Sequence, residues 1–168
     1  LRRSRGLGDV YKRQSLNFIR IGTSGSLSAK IPVDSFLISQ YAIDLNSQLS
    51  FYDISDHKSD CISEINLDNK HKAYCFASSD DLFKKFISKD IFKGLTATCN
   101  GFYAYQGRNT RIPLNTTINF KKVNKISFHG QNVTNLEMET AIIYGLSSFL
   151  GHNAISLNAI LANRVQDI

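Results

Sequence analysis

The stretch Asn135-Leu136-Glu137-Met138-Glu139-Thr140 sets two carboxylates around a methionine, directly ahead of a run patterned to bury one helical face. Met138, Ala141, Ile142, Gly145, Leu146 and Phe149 recur at three- and four-residue intervals, which predicts one buried stripe. Gly151 follows where a left-handed C-terminal cap is expected. Upstream, Thr134 and Glu137 have capping-box spacing, so the helix is expected to start there, with Glu139 in its first turn. Acidic side chains in a first turn complement the helix dipole, and that alone would account for them. A carboxylate at the mouth of a sheet can also accept two hydrogen bonds from a vicinal diol such as a ribose, so both uses stay open here.

The 168 residues, 42% apolar, fit one domain with a real core. No apolar run approaches the ~20 residues needed to span a bilayer, and no apolar segment of signal-peptide type follows the basic start, so no membrane partner is expected. Residues 1–14 are not patterned for a core, and Asp9-Val10-Tyr11-Lys12-Arg13-Gln14 resembles a translated sequencing adaptor, so they are set apart from a domain at 15–168. Without their five basic residues and one acidic residue, the counts of 20 basic and 14 acidic fall to 15 and 13, a net charge of +2 in place of +6. Nucleic-acid binding then loses its electrostatic support. Cys61, Cys75 and Cys99 form no C-x-x-C pair and read as reduced thiols of a cytoplasmic protein. His57, His71, His129 and His152 lack metal-ligand spacing, and no metal is expected.

Along the chain, Leu16-Asn17-Phe18-Ile19-Arg20-Ile21 reads as a strand ending at a turn, Gly22-Thr23-Ser24-Gly25-Ser26, whose backbone N–H groups would suit an anion with Arg20 beside it. A second strand is expected over residues 31–39, opened by Pro32. Residues 46–70 read as a loop or flap without assigned chemistry, and 73–77 as a third strand. Ser79 is expected to cap a helix burying Leu82, Phe83, Phe86 and Ile87, with Lys84, Lys85 and Lys89 in solvent. Residues 94–99 predict a strand entering the loop 100–108. There Phe102, Gln106 and Arg108 combine a ring face, a carboxamide and a guanidinium, which match a pyrimidine's face, imide edge and carbonyl. Tyr103 and Tyr105 are expected to cover the core. Residues 154–162 predict an apolar strand ending in Asn163-Arg164.

Three motifs in this order, Arg20-Ile21-Gly22-Thr23-Ser24-Gly25, Gly101-Phe102-Tyr103 through Gln106-Gly107-Arg108, and Leu136-Glu137-Met138-Glu139-Thr140, resemble the nucleoside phosphorylase superfamily and, within it, the uridine phosphorylases. The resemblance implies a three-layer α/β/α fold with a central mixed sheet. It further implies that Arg20 and Thr23 bind phosphate. Ser24, Gly25, Phe102, Gln106, Arg108 and Arg164 would line the base site, and Glu137, Met138 and Glu139 the ribose site. Phosphate would be a co-substrate, attacking the anomeric carbon without metal or organic cofactor. The implied protein is a homo-oligomer built from dimers, up to a hexamer, serving nucleoside salvage.

Purine-acting relatives place an Asp where this chain has Asn163, which cannot act as a general acid, and that favours a pyrimidine. The family's glycine-rich N-terminal phosphate loop and closing C-terminal helix have no counterpart here. The resemblance therefore implies a domain incomplete at both ends, inactive as it stands, with normally central strands left as edges. A purine nucleoside phosphorylase, a nucleosidase of the same fold and a non-catalytic nucleoside-binding protein are the alternatives.

Overall fold

The computed structural model describes residues 14–53, 55, 63–66, 72–115 and 123–166. The expectations for residues 1–13, Cys61, His57 and His71 lie outside them. Eight strands form a mixed sheet: β1 (Asn17–Ser26), β2 (Phe36–Asp44), β3 (Ser63–Asn66), β4 (Lys72–Ala77), β5 (Ile91–Thr98), β6 (Ser127–Phe128), β7 (Gln131–Glu137) and β8 (Asn153–Asn163). Two α-helices flank it, α1 (Asp80–Phe86) and α2 (Thr140–Phe149), together with a 3-10 turn at Gln48–Phe51. Among these residues no helix is long and apolar enough to cross a membrane.

The spatial order is β3-β4-β2-β5-β7-β1-β8, and β2 also pairs with β8, so β2, β5, β7, β1 and β8 close into a ring. β8 runs parallel to β1 along its length and meets β2 antiparallel at Leu157, Asn158 and Ala159. It is therefore paired on both sides. β1 is an edge on its other side, since its pairing with β7 is confined to Gly25 and Ser26.

Alternation along these strands sorts apolar side chains onto the faces. Ile43, Leu95, Ala97, Val133 and Leu136 form one buried cluster. Ala42, Tyr74, Phe76 and Ala154 meet Ala141 and Tyr144 of α2 over Leu49 of the 3-10 turn. Ile38 and Ile155 meet Leu82 of α1, with Phe83, Phe86 and Ile87 packed around it. Ala154 and Ile155 are consecutive in β8, so α1 and α2 cover opposite faces of that strand. At Gly145 the helix comes so close that an added Cβ would lie 2.5 Å from Leu49 Cδ1.

Several boundaries differ from those expected. Residues 22–26 are not a turn: β1 continues through them because β8 supplies a partner for every residue up to Ser26. The second strand starts at Phe36, because Asp34 adopts a left-handed φ of 63° that no strand accommodates. Thr134 lies in β7 and the helix begins only at Thr140. A bulge causes the difference: Leu95 pairs with Val133 but Thr96 with Asn135, which leaves Thr134 unpaired and its hydroxyl donating to the Leu95 carbonyl. His129 and Gly130, both at positive φ, form the two-residue turn of an unforeseen hairpin between β6 and β7. The C-terminal cap is as expected, with Gly151 at φ 71° and the His152 N–H returning to the Ser147 carbonyl.

The bulge requires a glycine opposite it, since a Cβ on Gly94 would fall 2.0 Å from Thr134 Oγ1. Gly94→Ala is expected to destabilise the fold by about 1–3 kcal/mol. Moving the glycine across, as Gly94→Ala with Thr134→Gly, should recover part of that loss. The coupling is read from urea midpoints of the two single variants and the double variant.

Candidate active site

β7 ends at Glu137, and its buried carboxylate organises the entry to α2. Glu137 Oε2 accepts the N–H groups of Glu139 and Thr140, each at 2.9 Å, and Glu137 Oε1 accepts the Thr98 hydroxyl of β5 at 2.5 Å. Thr98 Oγ1 in turn accepts the Ala141 N–H at 2.8 Å. The first-turn donors of α2 are thus met from the preceding strand and its neighbour. Glu139, at the N-cap position, makes no side-chain cap bond. This replaces the expected Thr134/Glu137 capping box.

Freed from capping, Glu139 faces Arg20. Its Oε2 accepts Arg20 Nε at 3.1 Å and Nη2 at 2.6 Å, while Glu137 Oε2 lies 3.3 Å from Nη2. Behind them, Arg20 Nη1 donates to Asn158 Oδ1 at 2.9 Å and to Ser156 Oγ at 3.3 Å. Four of the five N–H donors of the guanidinium are thus hydrogen-bonded, and Nη2 also forms an ion pair with Glu137. Gly22 makes room for this side chain, since a Cβ there would sit 2.8 Å from the guanidinium carbon. Met138 is half-buried at the bend between β7 and α2.

Thr23 is not brought to Arg20. β1 alternates strictly, with Arg20, Gly22, Ser24 and Ser26 turned inward and Ile19, Ile21 and Thr23 outward. Ser24 is buried and its hydroxyl accepts Asn135 Nδ2 at 3.0 Å.

A second cluster forms on the loop after β5. Gln106 Oε1 accepts Arg108 Nη1 at 2.6 Å and Arg164 Nη2 at 3.0 Å, and Gln106 Nε2 donates to the Cys99 carbonyl at 3.1 Å. The Arg108 guanidinium stacks on the Phe102 ring, 3.7 Å from its centroid, so one ring face is already covered. Gly25 borders this cluster, its open side facing Arg164 Nε at 3.7 Å from an ideal Cβ. Tyr103 and Tyr105, expected over the core, are 62% and 58% exposed. Burial and the neighbouring Arg108 charge lower the Arg164 pKa. The clusters meet through Cys99, whose N–H donates to the Glu137 carbonyl while its own carbonyl holds Gln106.

Asn163 is consumed structurally, donating to the Ser28 and Ile31 carbonyls and accepting the Val165 and Gln166 N–H groups. Tyr144, Ser156 and Asn158 belong to the site but were not anticipated. The buried Tyr144 hydroxyl donates to the Ser39 carbonyl at 2.6 Å and accepts the Ser156 N–H at 2.9 Å, and burial raises its pKa, keeping it protonated. The sequence signal for Ser156 and Asn158 was their alternation with apolar residues in β8. Among the described residues no three His, Cys, Asp or Glu side chains gather where a metal ion could sit.

A mixed sheet flanked by helices, with polar clusters at its strand ends, defines an α/β protein of nucleoside phosphorylase architecture. The solved Trypanosoma brucei nucleoside phosphorylase, described as showing uridine phosphorylase activity, shares this fold with a TM-score of 0.63 and 22% identity, over 89% of this chain and 55% of that one. The profile of the Phosphorylase superfamily matches residues 12–168, and the chain belongs to that family. It is also 26% identical over 151 residues to a uridine phosphorylase of Thermococcus kodakarensis, covering 88% of this chain and 49% of the relative. The chain thus spans about half the length of the proteins it matches.

Burial pushes the Cys99 thiol up to about 11, with the Asp44 carboxylate adding to the shift and Arg164 opposing it. A raised pKa favours folding below the ordinary thiol value of 9.0, and this contribution is lost as pH climbs towards 11. Native protein at pH 8 should leave Cys99 unmodified by iodoacetamide, whereas urea-unfolded protein should label fully, as read by peptide mass spectrometry.

Proposed function

We propose that the full-length protein is a cytoplasmic uridine phosphorylase, cleaving uridine with phosphate to give uracil and ribose 1-phosphate in nucleoside salvage. The observation that carries this proposal is the convergence of two guanidinium groups, Arg108 and Arg164, on Gln106 Oε1 beside the loop that bears Phe102. A cationic cluster fixed by a neutral amide suits the negative charge that builds on a departing uracil. Membership of the Phosphorylase superfamily and the uridine phosphorylase relative support the same chemistry.

In this mechanism a phosphate oxygen attacks the anomeric carbon while the glycosidic C–N bond breaks, and the bonding pair leaves with the base. Positive charge on the sugar is offset by the phosphate itself, and no protein nucleophile or organic cofactor takes part. Arg20 orients the phosphate. Because each of its three nitrogens is already hydrogen-bonded, phosphate takes the place of Glu139, whose side chain is 51% exposed against 1% for Glu137. The displaced Glu139 carboxylate then takes the ribose hydroxyls, next to Met138. Ser24 and Gly25 line the junction of base and sugar. Thr23 contributes through its backbone, its side chain facing outward. Subunits assemble as a homo-oligomer based on dimers.

Base release from uridine and inosine, each with and without phosphate, tests this in the full-length protein. Uracil should appear only with phosphate. Hypoxanthine would move the assignment to purines, phosphate-independent release to a nucleosidase, and neither base to a nucleoside-binding protein. Glu139→Gln should raise the KM for uridine ~10-fold or more through loss of a charge-assisted bond. The same change should not raise the KM for phosphate, since it removes a competing anion from Arg20.

A further inference from the structure

The five strands that close the ring each turn a polar side chain into its buried interior: Ser24 from β1, Ser39 from β2, Thr96 from β5, Asn135 from β7 and Asn158 from β8, none more than 7% exposed. Their hydrogen bonds have a single direction. Thr96 Oγ1 gives its only proton to Asn135 Oδ1 at 2.9 Å, so in the 2.5 Å contact between Ser39 and Thr96 the donor is Ser39. Ser39 Oγ must then accept from Asn158 Nδ2, at 3.0 Å. The second Asn158 Nδ2 proton points to Ser156 Oγ at 3.4 Å. With both amide protons committed, Asn158 Oδ1 can only face Arg20 Nη1, and Ser156 Oγ meets the same nitrogen.

Resting on the phosphorylase reading of Arg20, we propose that Asn158 and Ser156 are positioning residues for the anion site. They clamp the Nη1 edge of Arg20 from inside the ring, so that its Nε and Nη2 edge can exchange Glu139 for phosphate without the side chain moving. An arginine side chain is long and has many rotamers to lose on being fixed. Held only by Glu139, it would lose its orientation when phosphate displaces that carboxylate. Held by a buried and fully satisfied network, it keeps the geometry of the exchangeable edge.

The test uses phosphate binding to the full-length protein without nucleoside, by isothermal titration and by the phosphate-induced rise in Tm, beside uridine binding and turnover. Asn158→Asp keeps the shape but loses both ring donors and adds a third carboxylate around Arg20, on Nη1. Ser156→Ala removes the weaker of the two Nη1 acceptors, which also accepts the Thr140 hydroxyl, and carries the test if the aspartate variant does not fold. Phosphate affinity should fall ~10-fold or more in Asn158→Asp and severalfold in Ser156→Ala, with uridine affinity within twofold of the parent. Phosphate affinity unchanged in folded variants, or equal losses for phosphate and uridine, would overturn the positioning role. Phosphate binding weakened as described, in a protein that releases no base, would leave the positioning role standing and remove the phosphorylase assignment.

Discussion

Glu137 is a buried carboxylate, and burying an unpaired carboxylate costs several kcal/mol. It is tolerated because two backbone N–H groups, a threonine hydroxyl and a guanidinium surround it. Each partner acquires a position in return. The two N–H groups begin α2, the hydroxyl ties β5 to β7, and the guanidinium belongs to Arg20 of β1. The negative charge also lies where the helix dipole favours it. Glu139 is left without a capping duty, which is why its carboxylate is available to the site. Strand pairing, helix entry and the acid–arginine cluster therefore depend on one side chain.

Around this point the molecule divides its apolar and polar burial in an unusual way. Apolar clusters lie under α1, under α2 and over β5 and β7. Within the strand ring a chain of hydrogen bonds runs beside the buried Leu37 and Ile160. Such a network is favourable only when every member is satisfied, because a buried unpaired polar group costs ~1–3 kcal/mol. Here the directionality imposed by Thr96 propagates through Ser39 to Asn158. The polar interior is thus as specifying as a packed core would be, and it ends on the guanidinium that faces the site.

That division explains which parts of the sequence could be read. Helical and wholly apolar stretches were legible: the buried side of α2 and its Gly151 cap, the Leu82, Phe83 and Phe86 face of α1, and the cores of β5 and β8. The ring strands β1 and β7 were harder, because their inward positions include Ser, Gly and Asn. Gly22 to Ser26 has turn composition and is a strand only because β8 pairs with it from more than 130 residues away. Asn135 and Thr134 likewise resemble a helix entry, and only the bulge opposite Gly94 shows otherwise. In the site, Phe102, Gln106 and Arg108 were legible together because one short loop holds them. The bond from Arg20 to Asn158 spans 138 residues and leaves no local signal.

The carboxylates around Arg20 bear on the order of events in the proposed mechanism. Arg20 is neutralised by Glu137 and Glu139, so an anion arriving there must compete with a carboxylate already in place. Arg108 and Arg164 both donate to the amide oxygen of Gln106, which brings two guanidinium groups together on one acceptor. Glu137 is held by three hydrogen bonds and buried, whereas Glu139 has its Oε2 on Arg20 and its side chain half in water. Of the two carboxylates, Glu139 is the one that can leave at low cost. Phosphate bound at Arg20 would therefore release the carboxylate that a ribose needs. In the proposed mechanism, occupancy of the anion site then favours occupancy of the sugar site, through a single side chain.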